Sequence, residues 1–524
     1  MRDSTDADRL AAPAEDGAVL VWPEADAILR DVERNRQRRR SQRWTLLGGS
    51  VTPAHDRDTA PVIMTGHQPG FLHPGVWVKT VAATRLAARL GGRAEFLVVD
   101  NDAPGDLALS WPETTPDRWH VRRCVAVANP NGRSFEQLDV TTLAHWQAFF
   151  AGIPDSIRRS ADRPLSAFES GFLSTPPTSD PDHLDYTDQW IRAMRAMDAC
   201  LETTSPIYNR VGQFFSTENA ARPVSPAVFI AHVLLSAERF AKAYNAALNA
   251  YRQRRGIRGT RHPIPDLETD GDRAELPFWL SHGPAPRRRL AVSRSGPDSI
   301  CVWSDDEALA TLGASELRNE PQSTLTNGLA GCPIRPRALT LTMYARVFAC
   351  DLFIHGIGGA KYDQITDDII RRFFGVAPPA YACVSATARL PLPRHHVTQN
   401  DLCAALARIR DIRFNPQRHL PQEDPSSQVR QALAARSQAI AEGHRLRAEE
   451  PRNHAARRAS FRKIRAANAS FSRVAPHILD VAHRKVSEVR RQLDRDRIAE
   501  RRDWFVGLYP KAPLQKLCRQ LPFA

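Results

Sequence analysis

The sequence predicts an α/β protein with a Rossmann-like parallel-sheet core, a helical insertion and a C-terminal helical or coiled-coil region. The main observation is a βαβ pattern: the apolar run Val62–Met64, a glycine-rich loop, a helical pattern and a second strand-like run, Glu95–Asp100. A related pattern follows later, where the strand-like run Asp351–His355 meets the glycine-rich turn Gly356–Gly359 and another helical pattern begins. Parallel strands joined by helical crossovers account for both patterns.

Shifts in periodicity and charge divide the chain into five parts. We predict a leader with one helix, a first part of the α/β core, a mainly helical insertion, a second part of the core and a basic helical or coiled-coil tail. Their expected ranges are, in that order, 1–55, 56–154, 155–262, 263–400 and 401–524.

Two finer predictions concern the middle of the chain. The insertion carries a long helix over Pro226–Arg255, with Ser225 as its N-cap and Gly256 as its end. The second part of the core carries two strands that we expect to pair, Arg287–Val292 and Ser299–Trp303. The arginines that open the first strand either reach an anion bidentately or blunt the edge of a sheet.

The first glycine-rich loop carries four candidate site residues. Glycine lets backbone N–H groups approach a ligand closely, and the start of the following helix favours an anion. Histidines placed there can donate hydrogen bonds or move protons near neutral pH. We therefore predict that His67 and His73 are catalytic and that Gln68 and Gly70 bind a cofactor. The alternative is a tight turn whose histidines are only solvated.

Acidic residues follow the second strand of the βαβ pattern. Asp100 and Asp102 come where that strand ends, and the carboxyl ends of parallel strands are where open α/β sheets hold their ligands. We predict that both carboxylates are catalytic and bind an amine or sugar hydroxyls. For each of them, a role in a turn or as an N-cap is the alternative.

The second glycine-rich turn repeats the arrangement of strand, glycines and helix start. Asp363 in the helix that follows is either a functional carboxylate or only a helix cap. Two such turns in one α/β chain indicate two halves that face a common cleft. We predict that this turn binds the cofactor through His355, Gly356, Gly358, Gly359 and Lys361.

The identity of the cofactor stays open, with a nucleotide, ATP or ADP, as the candidate. Neither turn fits the Walker A pattern, and the first does not fit G-x-G-x-x-G. Paired histidines at a helix start are similar to nucleotidylyltransferase-like folds, although His67 and His73 are further apart than in those proteins. The eight cysteines include no C-x-x-C pair, which argues against a thiolate zinc site. Asp100, Asp102 and Asp106 could bind a metal as well as an amine or sugar hydroxyls, but we assign no metal-binding residue.

The motif T-G-H-Q-P-G-F-L at Thr65–Leu72, followed by a helix and by F-L-V-V-D-N-D at Phe96–Asp102, resembles the bacillithiol synthase family. Later landmarks are similar too, namely Arg335-Pro336, the Gly358-Gly359 turn, Ser385-Ala-Thr387 and the chain end around Arg502–Pro510. The chain departs from the family at His67, where glutamine is usual, and after Asp100, where the family's histidine is absent. The resemblance therefore points to a remote relative.

The resemblance implies a ligase that adds cysteine, or a similar small amine or thiol, to an acceptor such as an amino-sugar conjugate. In that interpretation His67 and Gln68 orient the acceptor or its activating phosphate, and His73 serves as acid or base. The resemblance also implies a homodimer formed through the C-terminal helices. The alternatives are a nucleotide-binding or nucleotidylyltransferase-like protein without ligase activity, and a basic helical scaffold.

Composition and charge set further expectations. Hydrophobic residues make up 42% of the chain, but no apolar run reaches the ~18 residues that span a bilayer, so we expect no membrane contact. The acidic N-terminus has no apolar segment of the kind that directs export, which predicts a cytoplasmic protein.

The net charge of +14 is concentrated in the tail, where 26 Lys and Arg stand against 13 Asp and Glu from Asp401 onward. Ala482, Val486, Val489 and Leu493 recur at 4-3-4 spacing, which predicts a short coiled-coil seam with its arginines on the solvated face. We therefore expect a dimer and no binding of nucleic acid. A small-molecule substrate is what the resemblance to bacillithiol synthases implies.

Overall fold

The computed structural model describes residues 6–523 apart from 52–59, 116–118, 130, 139–141, 175–184, 220–221, 223, 284, 330 and 421–425. The boundary predicted between leader and core therefore lies outside the described residues. The strands, numbered along the chain, are β1 (Ala18–Trp22), β2 (Trp44–Leu46), β3 (Gly49–Val51), β4 (Val62–His67), β5 (Arg93–Val98), β6 (Leu107–Thr114), β7 (Trp119–Val127), β8 (Ile207–Arg210), β9 (Thr269–Asp270), β10 (Arg273–His282), β11 (Ala285–Gly296), β12 (Ser299–Ser304), β13 (Glu307–Gly313), β14 (Ile334–Pro336), β15 (Leu352–His355) and β16 (Tyr381–Thr387).

Helices make up much of the remaining chain. They are α1 (Ala25–Ser41), α2 (Pro74–Arg89), α3 (Leu143–Ala151), α4 (Asp155–Arg158), α5 (Leu165–Leu173), α6 (Tyr186–Cys200), α7 (Val211–Phe214), α8 (Pro226–Leu234), α9 (Ala237–Arg255), α10 (Ala314–Asn319), α11 (Pro321–Gly328), α12 (Ala338–Tyr344), α13 (Ile357–Phe374), α14 (Gln399–Phe414), α15 (Ser427–Glu449), α16 (His454–Val474), α17 (Pro476–Ala499) and α18 (Lys511–Arg519). A π-helical turn, Ala345–Ala349, continues α12.

The main sheet has the strand order β1-β16-β15-β4-β5-β8 within the described residues. Its strands pair in parallel, except that β1 runs antiparallel to β16. Helix α2 connects β4 to β5 on one side of the β4–β15 pair, and α13 connects β15 to β16 on the other side. The two crossovers therefore leave this pair in opposite directions, which makes it a topological switch point.

The second sheet is antiparallel, with the order β13-β12-β11-β10-β14 and with β9 paired to β10. The predicted pairing of Arg287–Val292 with Ser299–Trp303 is confirmed, since Val292 lies opposite Val302. One hydrophobic core is shared by this sheet, α8, α9, α12 and α13, and it includes Phe229, Phe278 and Phe348.

The long helix predicted over Pro226–Arg255 is two helices, so that prediction was wrong. Helix α8 ends at Leu234 and α9 begins at Ala237, because Ser236 between them has φ −118° and ψ 24° and leaves the helical path. The predicted ends are confirmed. Ser225 accepts a hydrogen bond from the Val228 N–H, and Gly256 is left-handed with φ 63°.

The described chain separates into two compact units. The main unit comprises Met1–Trp111, Arg123–Leu390 and Arg502–Ala524, and the helical unit comprises Pro112–Arg122 and Pro391–Arg501. Strand β1 from the predicted leader and β8 from the predicted insertion both belong to the main sheet. The segment Arg502–Ala524 also packs with the α/β core, since the Val506 N–H donates to the Leu72 carbonyl.

In the helical unit, another helix of the same chain covers part of the predicted coiled-coil seam on α17. Ala482 and Val486 on α17 pack against Ile409 and Ile412 on α14, and all four side chains are buried. Pairing within one chain covers this part of the face that was expected to bind a second copy. The homodimer therefore stays a prediction. Among the described helices, none has the length and apolar character needed to cross a membrane.

Candidate active site

Both glycine-rich turns lie at the switch point of the main sheet. The first follows β4 and the second follows β15, and these strands are direct neighbours with Ile354 opposite Thr65. Each turn leads into a helix start, α2 at Pro74 and α13 at Ile357. Two helix N-termini thus meet at one edge of the sheet, where backbone N–H groups favour an anion.

The first loop is held in a defined conformation. The Tyr186 hydroxyl donates to the Pro69 carbonyl at 2.6 Å, and the Trp190 indole donates to the Gly70 carbonyl at 2.8 Å. The Phe71 ring packs edge-on against Phe505, with ring centroids 5.3 Å apart. A turn that was only solvated would not make these contacts, so the loop is an ordered and packed part of the fold.

His67 ends β4 and is a neutral proton acceptor. Its Nδ1 lies 3.1 Å from the Gln68 carbonyl oxygen, which can only accept, so Nδ1 carries the proton and Nε2 carries the lone pair. Burial, with a smaller contribution from the Lys79 ammonium, lowers the pKa of His67 to about 4. The imidazole is therefore unprotonated on Nε2 at neutral pH.

His73 has the complementary tautomer. It is the N-cap of α2, and its Nδ1 accepts a hydrogen bond of 3.1 Å from the Gly75 N–H. Burial is the main cause that lowers its pKa to about 4, and Arg502 adds to the effect. The neutral ring therefore carries its proton on Nε2 and can donate it, whereas His67 can accept.

Lys79 is a residue of this edge that sequence reasoning missed. It lies on α2, is 3% exposed, and its ammonium donates to the Gly66 carbonyl at 3.0 Å. Within the described residues no carboxylate forms an ion pair with it, and burial lowers its pKa to about 8. A signal was present, because Lys79 is the single charged residue in the apolar stretch Val76–Ala83.

Cys383 connects Lys79 to the second turn. It lies opposite His355 on the neighbouring strand β16. Burial raises the pKa of its thiol to about 12, and Lys79 and Lys361 both act against that rise. The two ammonium groups are thus close enough to the same thiol to influence it. Lys361 is half-buried in the first turns of α13.

Asp102 is linked to the first loop through its carboxylate. The Gln68 amide donates to one of its oxygens, and Arg287 donates to the other at 3.0 Å. Arg287 also donates to the Asn101 carbonyl at 2.7 Å. The first of the three consecutive arginines therefore reaches a carboxylate at this edge, and Asp102, Gln68 and Arg287 form one polar cluster.

Asp100 has a different environment. Its side chain is fully buried, accepts from the Arg210 guanidinium at 2.8 Å and accepts from the Gly212 N–H at 3.2 Å. Arg210 also binds Asp185 and Asp188. These contacts join β5 to β8 and the start of α7, so Asp100 acts here by holding the backbone and not by facing a ligand.

His355 also points into the protein. Its Nε2 lies 2.9 Å from Asp363, whose carboxylate binds the buried Arg346 guanidinium at 2.5 Å. Burial lowers the pKa of His355 despite the neighbouring carboxylate. The interpretation of Asp363 as a helix cap was wrong, because its carboxylate is taken up by His355, Arg346 and Thr342.

Two glycines permit the close packing around the turns. A Cβ on Gly359 would lie 2.9 Å from the His355 ring, and a Cβ on Gly75 would lie 2.7 Å from the Ala386 carbonyl oxygen. The start of α2 thus reaches the end of β16, where the Ser385 hydroxyl is also close to Gly75. By contrast, Gly70 and Gly358 face open space, where a ligand has room.

The predicted residues therefore fall into two groups. His67, His73 and the Gln68–Asp102 pair lie with Lys79 around the first loop, and Gly356 approaches the Lys79 side chain. Asp100 and His355 are enclosed by their own ion pairs. In the described part of the chain, no group of three or more His, Cys, Asp or Glu side chains is arranged to hold a metal ion.

Comparison with known proteins adds no relative. No protein-family model matches this chain, and no curated protein matches it. The similarity to bacillithiol synthases therefore rests on the sequence motifs alone, and what it implies about activity stays a prediction.

Proposed function

We propose that this protein is an enzyme that binds a small anionic substrate at the β4–β15 switch point and joins it to a small amine or thiol. The observation that carries the proposal is the meeting of two glycine-rich helix starts around a buried lysine that has no acidic partner among the described residues. This arrangement offers the positive charge of Lys79 and the N–H groups at the start of α13. At the start of α2 the N–H groups of Gly75, Val76 and Trp77 already donate to His73, so that helix contributes its dipole and not free donors.

Two lysines support the anion-binding part. Lys79 brings a desolvated amine to the first loop, where low dielectric strengthens its attraction for a negative charge. Lys361 adds a more exposed ammonium beside the second turn. Gly358, which has open space where a Cβ would stand, lets a carboxylate or phosphate approach the backbone. Gly70 also leaves space, but its N–H already donates to the Gln68 carbonyl at 2.9 Å.

The two histidines support proton transfer. The lone pair on Nε2 of His67 can take a proton from an attacking amine, and the N–H on Nε2 of His73 can donate to a leaving oxygen. Their lowered pKa values keep both rings neutral near pH 7, so one can accept and the other can donate.

The bond proposed is an amide, as the resemblance to bacillithiol synthase implies. With ATP as the activating co-substrate, a carboxylate oxygen of one substrate attacks the γ-phosphorus of ATP, and ADP leaves. The amine nitrogen of the other substrate then attacks the carboxyl carbon of this acyl phosphate, the carbon–oxygen bond to the phosphoryl group breaks, and inorganic phosphate leaves while the amine proton passes to His67. Cysteine and an amino-sugar conjugate are the substrates that this proposal favours.

Asp102 supports recognition of the amine or of sugar hydroxyls. One of its oxygens is bound by Gln68 and the other by Arg287, so the carboxylate is held in place while lone pairs remain. Asp100 and His355 are assigned positioning roles, because each supports the backbone that carries the loops.

The first test is ligand binding by calorimetry, after a thermal-shift screen with ATP, ADP, inorganic phosphate, cysteine, amino sugars and RNA. His67→Ala and Lys361→Ala should each weaken the selected anion by about tenfold. His454→Ala and Lys516→Ala remove exposed residues of the same types and should leave affinity unchanged. If neither site variant weakens binding, the site is not at the switch point.

The second test separates ligase chemistry from nucleotide binding. Wild-type protein is incubated with cysteine, an amino-sugar acceptor and ATP, and the product is sought by mass spectrometry. A condensation product that is lost in His67→Ala supports the ligase. Nucleotide binding without any product would favour the alternative, a nucleotide-binding or nucleotidylyltransferase-like protein.

The proposed enzyme is a cytoplasmic homodimer, as the sequence predicts. Ala482 and Val486 are covered by α14, so a dimer through the helical unit would use other side chains. Phe461 on α16 and Val481 on α17 are more than half exposed in that unit and are candidates for the contact.

A further inference from the structure

A cavity lies at the opposite end of the main sheet from the candidate active site. Its volume is about 620 Å³, and Tyr381, the first residue of β16, forms part of its wall. Helix α1, the last turns of α13 and the loop 375–380 provide the other walls. The candidate active site lies at the carboxyl ends of the strands, so the two sites are separated by the length of the sheet.

The charge of the cavity lining is positive. Arg34, Arg38 and Arg371 line it together with two carboxylates, Asp31 and Asp367. Asp31 is bound by Arg34 at 3.1 Å. Asp367 is bound at 2.7 Å by Arg346, a buried residue that does not line the cavity. Guanidinium groups stay charged at all ordinary pH values and bind carboxylate or phosphate bidentately.

The cavity also offers aromatic and apolar surface. The rings of Trp22 and Tyr381 lie side by side, with centroids 5.9 Å apart and an angle of 53° between their planes. Ala377, Pro378 and Pro379 add apolar surface from the loop. A planar ring would gain stacking and apolar contact here, and the volume is within the range of small-molecule sites.

We propose that this cavity is a second ligand site, for a small molecule that carries a planar aromatic ring and one phosphate or carboxylate group. The ring lies against Trp22, and the anionic group is bound by Arg34 and Arg371. Arg34 pairs with Asp31, and Arg371 pairs with Asp368 at 2.9 Å, but the two side chains are 62% and 45% exposed, so each guanidinium keeps N–H groups that can reach a ligand. The site is independent of the proposed ligase activity, because it shares no residue with the switch point.

The test is calorimetry on the full-length chain with 1-naphthyl phosphate, 1-naphthoate, 1-naphthol and inorganic phosphate. We expect one of the two naphthyl anions to bind, and naphthol and phosphate to bind about tenfold more weakly, because each lacks one half of the recognised chemistry. The tighter of the two anions tells whether the natural ligand is a phosphate or a carboxylate.

Variants locate the binding. Arg34→Gln, Arg371→Gln and Trp22→Leu should each weaken the naphthyl anion by about fivefold or more. Arg30→Gln and Arg372→Gln remove neighbouring exposed arginines that do not line the cavity, and they should have no effect. The two lining arginines are surface side chains, so their variants are expected to fold; Trp22→Leu tests the ring contact separately.

Two results would overturn the proposal. One is the absence of binding by both naphthyl anions at about 1 mM. The other is binding that persists in all three cavity variants, or that is lost in Lys361→Ala, because the ligand would then occupy a different site. Failure of the ligase tests leaves these outcomes unchanged.

Discussion

At the scale of single residues, the candidate active site is marked by basic groups that burial keeps partly or wholly uncharged. His67, His73 and Lys79 all have lowered pKa values for this reason. A fold that only needed stability would pair such groups with carboxylates or replace them. The arrangement is explained if an anionic ligand supplies the missing charge.

Lys79→Met should therefore stabilise the free protein. Burial lowers the pKa of Lys79 from 10.5 to about 8, so the unfolded chain binds more protons than the folded chain between these values. At pH 7 the buried amine costs on the order of 3 kcal/mol, and that cost shrinks as pH rises from 8 to 10.5. Urea unfolding at pH 7 and pH 10 should show the gain at pH 7 and a smaller one at pH 10.

The same variant should lose the anion selected in the binding screen. A second apolar substitution, Lys516→Met, removes an exposed lysine and serves as the matched control for both readouts. If Lys79→Met is less stable than wild type at pH 7, the amine has an ionic partner in solution and the interpretation of an unpaired cation fails.

The sequence could predict only those site residues that stand in a recognisable local pattern. His67 and Gln68 stand in a loop with glycine and proline around them, and this pattern can be recognised from the sequence alone. The ion pair that encloses Asp100 could not be predicted, because Arg210 is distant in sequence and meets it only when β8 joins β5. The contact of His355 is local by comparison, since Asp363 stands eight residues further on in α13; the sequence shows both residues but not that the first turns of α13 bring the Asp363 carboxylate back to the ring.

At the scale of elements, the second turn is shaped by the packing of His355 on α13. Gly359→Ala should destabilise the protein by about 1–3 kcal/mol, because its Cβ would lie 2.9 Å from a His355 ring that Asp363 holds in place. Gly358→Ala is the control in the same helical turn. It meets no atom within 4 Å and should be neutral or stabilising by up to about 1 kcal/mol. Equal effects of the two variants in thermal unfolding would contradict this packing.

The predicted coiled-coil seam has a different test now that its partner is known. Val486→Asp should lower the stability of the helical unit by on the order of 3 kcal/mol, since Val486 is 5% exposed and packs on α14. Ser487→Asp on the same helix is the control, because Ser487 is exposed and its replacement should change little. Urea unfolding measures stability, and light scattering measures mass. A halved mass without loss of stability in Val486→Asp would restore the seam as a dimer contact.

The sequence predicted these elements where periodicity is local. Helix α15 ends at Glu449, just before Pro451, and α17 begins at Pro476, because proline ends or begins a helix by its own geometry. The partner of the α17 seam could not be read from spacing, since a 4-3-4 pattern specifies an apolar stripe and not which helix covers it. The break between α8 and α9 at Ser236 likewise could not be predicted, because no glycine or proline stands there.

At the scale of the whole molecule, part of the positive charge along the last helices is paired with acidic side chains of the same unit. Lys463 pairs with Glu442 at 2.9 Å, and Arg497 pairs with Asp494 at 3.4 Å. Asp496 is turned inward and accepts from the His395 and Val397 N–H groups. Local pairing of this kind dilutes the field that nucleic acid would need.

We therefore expect the full-length protein to bind RNA or DNA no more tightly than about 10 μM at physiological salt. Fluorescence anisotropy at low and high salt measures this directly. Truncating the tail is a poor experiment, because Arg502–Ala524 belongs to the main unit and its removal would disturb the α/β core. A micromolar affinity that falls steeply with salt would support the basic-scaffold alternative.

In the proposed active site, the two glycine-rich turns share one anionic ligand. Selective labelling of glycine with ¹⁵N allows their amide resonances to be followed while inorganic phosphate or the anion selected in the screen is added. Gly70→Ala and Gly358→Ala, which change positions facing open space, assign the two turns. We expect the Gly70 and Gly358 resonances to shift together with a single dissociation constant, and we expect Lys79→Met to abolish both shifts. Shifts confined to one turn, or two different dissociation constants, would contradict a common site at the β4–β15 switch point.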